Sequence, residues 1–121
     1  MEIVSFRDLI AWKKAMDLVV EVYTVSGHWP SAEVYGLTSQ VRRAAVSVPS
    51  NIAEGQGRAT RGEFVHHLGI AYGSLMEVQT QLAIATRLGF MPPEAAQTAA
   101  QLSAEVAKLL NGLVNSLTRE N

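Results

Sequence analysis

Ile52-Ala53-Glu54-Gly55-Gln56-Gly57-Arg58-Ala59-Thr60-Arg61-Gly62-Glu63-Phe64 carries a helix stop and a helix start in one short run. Gly55-Gln56-Gly57 suits the end of a helix, because glycine adopts stop conformations without a side-chain penalty. Thr60 with Glu63 three residues later is a capping box, in which each side chain satisfies a free donor of the new first turn. A connection this brief forces the two flanking helices to run antiparallel. Downstream, Phe64, Leu68, Ala71, Leu75, Val78, Leu82 and Ala85 recur at helical spacing as far as Gly89. Upstream, from about Ala32, the series Leu37, Val41, Ala44 or Ala45, Val48 and Ile52 does the same. Pro49 lies inside that helix, where it removes a hydrogen bond and crowds the preceding turn, so a kink or break is expected near Ala45 to Val48.

The outer segments repeat the pattern. Ser5 followed by Asp8 is a capping-box variant, after which Leu9, Trp12, Met16, Val19 and Tyr23 mark a first helix that ends at Ser26-Gly27-His28-Trp29-Pro30-Ser31. Pro92-Pro93-Glu94 opens a last helix with Leu102, Val106, Leu109, Leu113 and Leu117 on its apolar stripe. Four amphipathic segments joined by short connections predict an all-α, antiparallel up-down-up-down four-helix bundle, as one domain over residues 1–121.

Hydrophobic residues make up 48% of the chain and charged residues 17%, with a mean hydropathy of +0.11. That is more apolar than a small monomer requires, so part of the apolar surface is expected between subunits. A formal charge of -1 provides no global field for nucleic acid or an anionic membrane. The chain has no cysteine, which removes disulfides, thiolate metal sites and cysteine nucleophiles together. Met1-Glu2-Ile3-Val4-Ser5-Phe6-Arg7-Asp8 has no export signal, and Leu18-Val19-Val20 between Asp17 and Glu21 is too short to span a membrane. A cytoplasmic location is expected.

Counting outward from the turns at the helical rise of about 1.5 Å per residue gives the expected register. Glu54 falls level with Phe64, Asn51 with His66 or His67, Arg42 or Arg43 with Glu77, and Trp12 with Val48 and Pro49. The run from Arg42 to Gly55 is the most unusual, since it packs Ser47, Pro49, Asn51 and Glu54 into an otherwise apolar helix. Its leading reading is structural: Ser47 or Ser50 satisfies carbonyls freed by Pro49, Trp12 fills the kink, and an arginine pairs with Glu77. The alternative treats Arg42, Arg43, Arg58 and Arg61 as a cationic strip for RNA or DNA phosphates. Few aromatics interleave with it, so base stacking is not indicated. Glu63-Phe64-Val65-His66 has the Glu-x-x-His spacing of di-iron bundles, but no second copy occurs and His66 and His67 diverge around the helix, so no metal or other cofactor is expected. Gly55-Gln56-Gly57 with Gly62 lacks the lysine and preceding strand of a phosphate loop. No nucleophile, base and acid converge, so no enzymatic activity is expected.

Phe6-Arg7-Asp8-Leu9-Ile10-Ala11-Trp12-Lys13-Lys14-Ala15, Gly36-Leu37-Thr38-Ser39-Gln40-Val41-Arg42-Arg43-Ala44 and Ser47-Val48-Pro49-Ser50-Asn51-Ile52-Ala53-Glu54-Gly55 resemble a bacterial four-helix bundle family named after 23S rRNA intervening sequences. Gly73-Ser74-Leu75-Met76-Glu77-Val78-Gln79-Thr80-Gln81-Leu82 and Leu109-Leu110-Asn111-Gly112-Leu113 extend the resemblance over essentially the whole chain. The resemblance implies an up-down four-helix bundle that assembles into a ring-like homopentamer, and it does not imply a reaction. A related group serves as accessory proteins to reverse transcriptases in diversity-generating retroelements, with nucleic acid as partner. Carried onto this chain, it singles out Arg42, Arg43, Ser47, Pro49, Asn51, Glu54, Gly55 and Glu77. A non-enzymatic oligomeric scaffold is the leading expectation, with an RNA- or DNA-binding accessory protein as the alternative.

Overall fold

The computed structural model describes residues 5–119, apart from the side chain of Asp8. Four α-helices follow one another: α1 Ile10–Ser26, α2 Leu37–Gln56, α3 Arg61–Arg87 and α4 Gln97–Thr118. Consecutive helices pack side by side, and α4 packs back on α1, which closes a four-sided bundle. The pairing of α2 with α3 is the most extensive, as the short connection between them dictates.

The helix ends show how local sequence sets these boundaries. Thr60 Oγ1 accepts from the Glu63 backbone N–H at 3.1 Å and donates to Glu63 Oε1 at 3.2 Å, so the expected box starts α3. At the other end Gly89 takes φ +78°, and Phe90 N–H reaches the Ala85 carbonyl at 2.9 Å. That left-handed stop favours glycine. Three single turns of 3-10 helix precede the α-helices and move their starts from the expected positions. Ser5 Oγ accepts from Arg7 N–H at 3.2 Å, but the turn it caps covers only Phe6–Asp8 before Leu9 becomes extended. The Asp8 half of that expected box lies outside the described residues. Ser31–Glu33 forms the second turn, and Glu33 Oε1 then accepts from Leu37 N–H at 3.0 Å, capping α2 from one turn away. The third, Pro93–Ala96, leads into α4.

Pro49 does not break α2, which runs unbroken from Leu37 to Gln56 with the proline buried. Ser47 is engaged elsewhere, with Asn51 and Ser74, and does not serve the carbonyl that Pro49 frees.

The core seams of α2 and α3 follow the expected residues, whereas of those expected for the outer two segments only Leu9 and Val106 are buried. On α1, Ala11, Ala15, Leu18, Val22 and Val25 are buried, while Met16 stays 40% and Tyr23 44% exposed. On α4 the buried line is Ala99, Ser103, Val106 and Leu110, with Leu102, Leu109, Leu113 and Leu117 only partly covered. The reason is the same in both. Each helix carries two apolar stripes about one residue apart, and the stripe with small residues allows the closer helix approach. Periodicity alone does not choose between them.

Candidate functional site

The polar residues of α2 meet α3 in a continuous hydrogen-bonded seam. Ser74 Oγ donates to Ser47 Oγ at 2.8 Å. Asn51 Nδ2 donates to the same hydroxyl at 3.0 Å and to the Ser47 carbonyl at 2.9 Å. With its amide nitrogen so engaged, Asn51 presents Oδ1 to His67 Nδ1 at 3.0 Å, which makes the ring nitrogen the donor. His67 Nε2 faces Glu54 Oε2 at 3.9 Å, and the same oxygen accepts from Arg58 Nη2 at 2.6 Å. The Arg58 hydrogen bond is the main reason the Glu54 carboxyl is held below its ordinary range; partial desolvation opposes it, and the charges of His67 and Arg58 reinforce it. Gly55 permits this approach, since a Cβ there would lie 2.7 Å from His67 Cβ.

The expected register thus brings Asn51 to His67 rather than His66, and Gly55 against Phe64 and His67. Trp12 stacks edge-on with Phe6 at 5.3 Å and shares an outer groove with Pro49, in agreement with its expected level. The arginine pairing with Glu77 is not observed. Arg42 folds back on the end of α1: Nε donates to Ser26 Oγ at 2.9 Å, Nη2 to the Tyr23 carbonyl at 3.2 Å, and the guanidinium lies 4.4 Å from the Tyr23 ring centroid. A cation at a helix C-terminus is favoured by the macrodipole, and this placement outcompetes the carboxylate. Arg43 Nη2 donates to Ser39 Oγ at 3.0 Å, and among the described residues no ion pair joins it to Glu77, although both line one cleft.

The four arginines do not form one strip within a single chain. Arg42 and Arg43 sit on the first half of α2, and Arg58 and Arg61 at the turn into α3, with Arg43 and Arg58 separated by roughly 22 Å of helix length. Arg58 is neutralised by Glu54. Glu63 commits its carboxylate to Thr60, so the Glu-x-x-His spacing with His66 serves a helix cap.

Two features were missed in the sequence. Tyr23 and Tyr35 border a cleft with Arg42 and Arg43, Tyr35 being 96% exposed, so aromatics do interleave with the cations. The Trp12, Met16 and Val19 stripe lines a groove with Val46, Pro49 and Ala53 instead of filling the core. The spacing of the stripe was visible, but its side of the helix was not.

A crystal structure from Bacteroides thetaiotaomicron, described as a protein of unknown function from the S23 ribosomal protein family, matches with a TM-score of 0.77 at 21% sequence identity, over 87% of this chain and 98% of that one. At that identity the likeness establishes the shared fold. No curated protein matches the chain. The family model described as 23S rRNA-intervening sequence protein matches residues 7–112, a span that covers α1, α2, α3, most of α4 and the whole Ser74–Arg58 seam, and the chain belongs to that family.

Proposed function

We propose that the protein is a cytoplasmic, non-enzymatic scaffold that works as a self-associated bundle. One observation carries this reading: α1 has a second apolar seam outside the core. Val20 is 66% exposed, Met16 and Tyr23 nearly half, and Val46 of α2 extends the patch beside them. The occupant proposed for this face is a second copy of the chain. An exposed apolar set that could meet it lies on α3, where Ile70, Ile84 and Leu88 are solvent-facing. A groove on one side meeting a ridge on another is a heterologous contact, and such contacts close into a ring when the rotation between copies divides a full turn.

Magnitudes favour a closed ring over a pair. Fully burying a side chain of this size contributes about 1.5–3 kcal/mol, and half-exposed ones roughly half as much. Association costs on the order of 4–15 kcal/mol, so one such contact is weak. In a ring every copy makes two contacts and ring closure adds one without a further association cost. Five copies agree with the family resemblance. The absence of catalysis is supported by the seam itself, in which His67 and Glu54 are taken up by Asn51 and Arg58. Light scattering after size exclusion is expected to give about 65 kDa, five times the 13.1 kDa chain; a monomer at micromolar concentration overturns the reading.

A second reading, single-stranded RNA or DNA, is favoured by the Tyr23, Tyr35, Arg42 and Arg43 cleft, where rings for base stacking stand beside guanidinium groups. Tyr35→Ala is the informative change, because a side chain this exposed does not hold the fold. Fluorescence anisotropy on a labelled single strand is expected to show weaker binding for the variant and affinity falling log-linearly with salt. Identical binding by the two proteins removes this reading.

A further inference from the structure

On the α3 side of α2, away from the Trp12 groove, a cleft of about 370 Å³ is lined almost entirely by polar side chains. Its residues form three successive rungs between antiparallel helices. Ser47 meets Ser74 through the 2.8 Å hydrogen bond at the floor. One turn along α2 stands Arg43, facing Glu77 one turn along α3, and the next turn brings Gln40 and Gln81.

The floor is satisfied and the upper rungs are not. Arg43 and Glu77 make no ion pair with each other among the described residues, and Arg43 donates only to Ser39 Oγ. Gln81 Oε1 is shielded from solvent and has no hydrogen-bond donor in the structure, a costly state for an amide oxygen. The cleft therefore offers an exposed guanidinium on α2 and, on α3, an exposed carboxylate one turn from an amide oxygen that lacks a donor. A small zwitterion supplies the complement: a carboxylate to receive the Arg43 fork, and a protonated amine to serve Glu77 and, once the Gln81 side chain turns outward, its Oε1 as well.

We propose that this cleft is a binding site for a free polar α-amino acid, its head group held between Arg43 and Glu77 and its side chain lying along the Gln40 and Ser47 rungs. The site does not use the α1 groove, but Ile70 and Ile84 bracket Ser74, Glu77 and Gln81 on one stripe of α3, so a copy seated on that stripe would compete with the ligand for it.

The test is titration of ¹⁵N-labelled protein with L-glutamine, followed by heteronuclear NMR. Saturable shifts are expected at millimolar concentrations, centred on the amides of Arg43, Ser74, Glu77 and Gln81. N-acetyl-L-glutamine, which has lost the ammonium, and L-glutamine amide, which has lost the carboxylate, are each expected to bind at least about tenfold more weakly, because each lacks one charge-assisted hydrogen bond. Arg43→Met and Glu77→Gln change exposed side chains and are expected to keep the helical spectrum while losing a similar factor. The analogue comparison stands on unmodified protein whatever the variants do. No saturable shift, or equal shifts from L-glutamine and both analogues, overturns the site; so does binding that is indifferent to both substitutions in folded protein.

Discussion

A methyl group at Gly55 would stand 2.7 Å from His67 Cβ and 3.0 Å from Phe64 Cδ1. Alanine is intrinsically the better helix former by about 1 kcal/mol, but the atoms it meets belong to a neighbouring helix and the first of them is close to the backbone. Overpacking of this kind costs about 1–3 kcal/mol, so Gly55→Ala is expected to lower stability by about 1 kcal/mol net, read as a lower urea midpoint with an unchanged slope. Beside it, Glu54 gives the seam a pH signature. Its carboxyl is depressed below 4.5, chiefly by the Arg58 hydrogen bond. A depressed folded-state value means the stabilisation is present above 4.5 and is lost as pH falls through the folded value below it. Thermal midpoints measured from about pH 6 down to about pH 3 should fall at the acid end, and Arg58→Met should remove the part of that fall due to Glu54. The Asn51–His67 contact was legible in the sequence, because helical rise and a short turn fix which residues are level. The course of Arg42 was not. Two acceptors competed for its guanidinium, and the end of α1 supplies both a carbonyl and an aromatic face, neither of which spacing reveals.

Pro49 tests how far an element can be read from its breakers. Proline inside a helix costs about 3 kcal/mol relative to alanine, and on that ground a kink or a break in α2 was expected. The helix is continuous because α2 has more packing than any other element: Val41, Ala44, Ala45, Val48 and Ile52 are all buried on the core side, and α2/α3 is the largest helix pair. Tertiary burial over five positions outweighs one missing hydrogen bond. Pro49→Ala should restore that bond while removing two buried methylene equivalents, worth about 0.8 kcal/mol each, and some rigidity of the unfolded chain worth about 0.4–1 kcal/mol. The expected net effect is a gain of about 1 kcal/mol, seen as a thermal midpoint several degrees higher; a loss of more than about 1 kcal/mol would mean that the ring's packing beside Trp12 is worth more than the helix bond. α2 and α3 were legible as elements because their core stripes are continuous and bounded by the Gly55–Thr60 stop and start. α1 and α4 were legible as helices but not in their orientation, since Ala11 and Ala15 looked too small to mark a core that in fact selects them for close approach.

For the whole molecule, the misassigned stripe of α1 is itself informative. A monomer gains nothing by keeping Met16, Val19, Val20 and Tyr23 apolar on its surface, and scattered exposed hydrophobics are ordinary, but these follow one helical line beside Val46 and Pro49. An apolar line of that kind is where a protein meets another surface. Placing a charge there separates assembly from folding. Val20→Glu alters a side chain already two-thirds exposed, so the monomer should fold with unchanged helical content, whereas a buried unpaired carboxylate at a subunit contact costs several kcal/mol. In a ring that penalty recurs at every contact, so the expected result is complete dissociation to 13.1 kDa at concentrations where the parent chain remains assembled. Lys108→Glu, on an exposed position of α4 away from both apolar sets, serves as the control and should leave the mass unchanged. If Val20→Glu also stays assembled, the contact lies on another face, and the α3 set of Ile70, Ile84 and Leu88 is the next surface to charge.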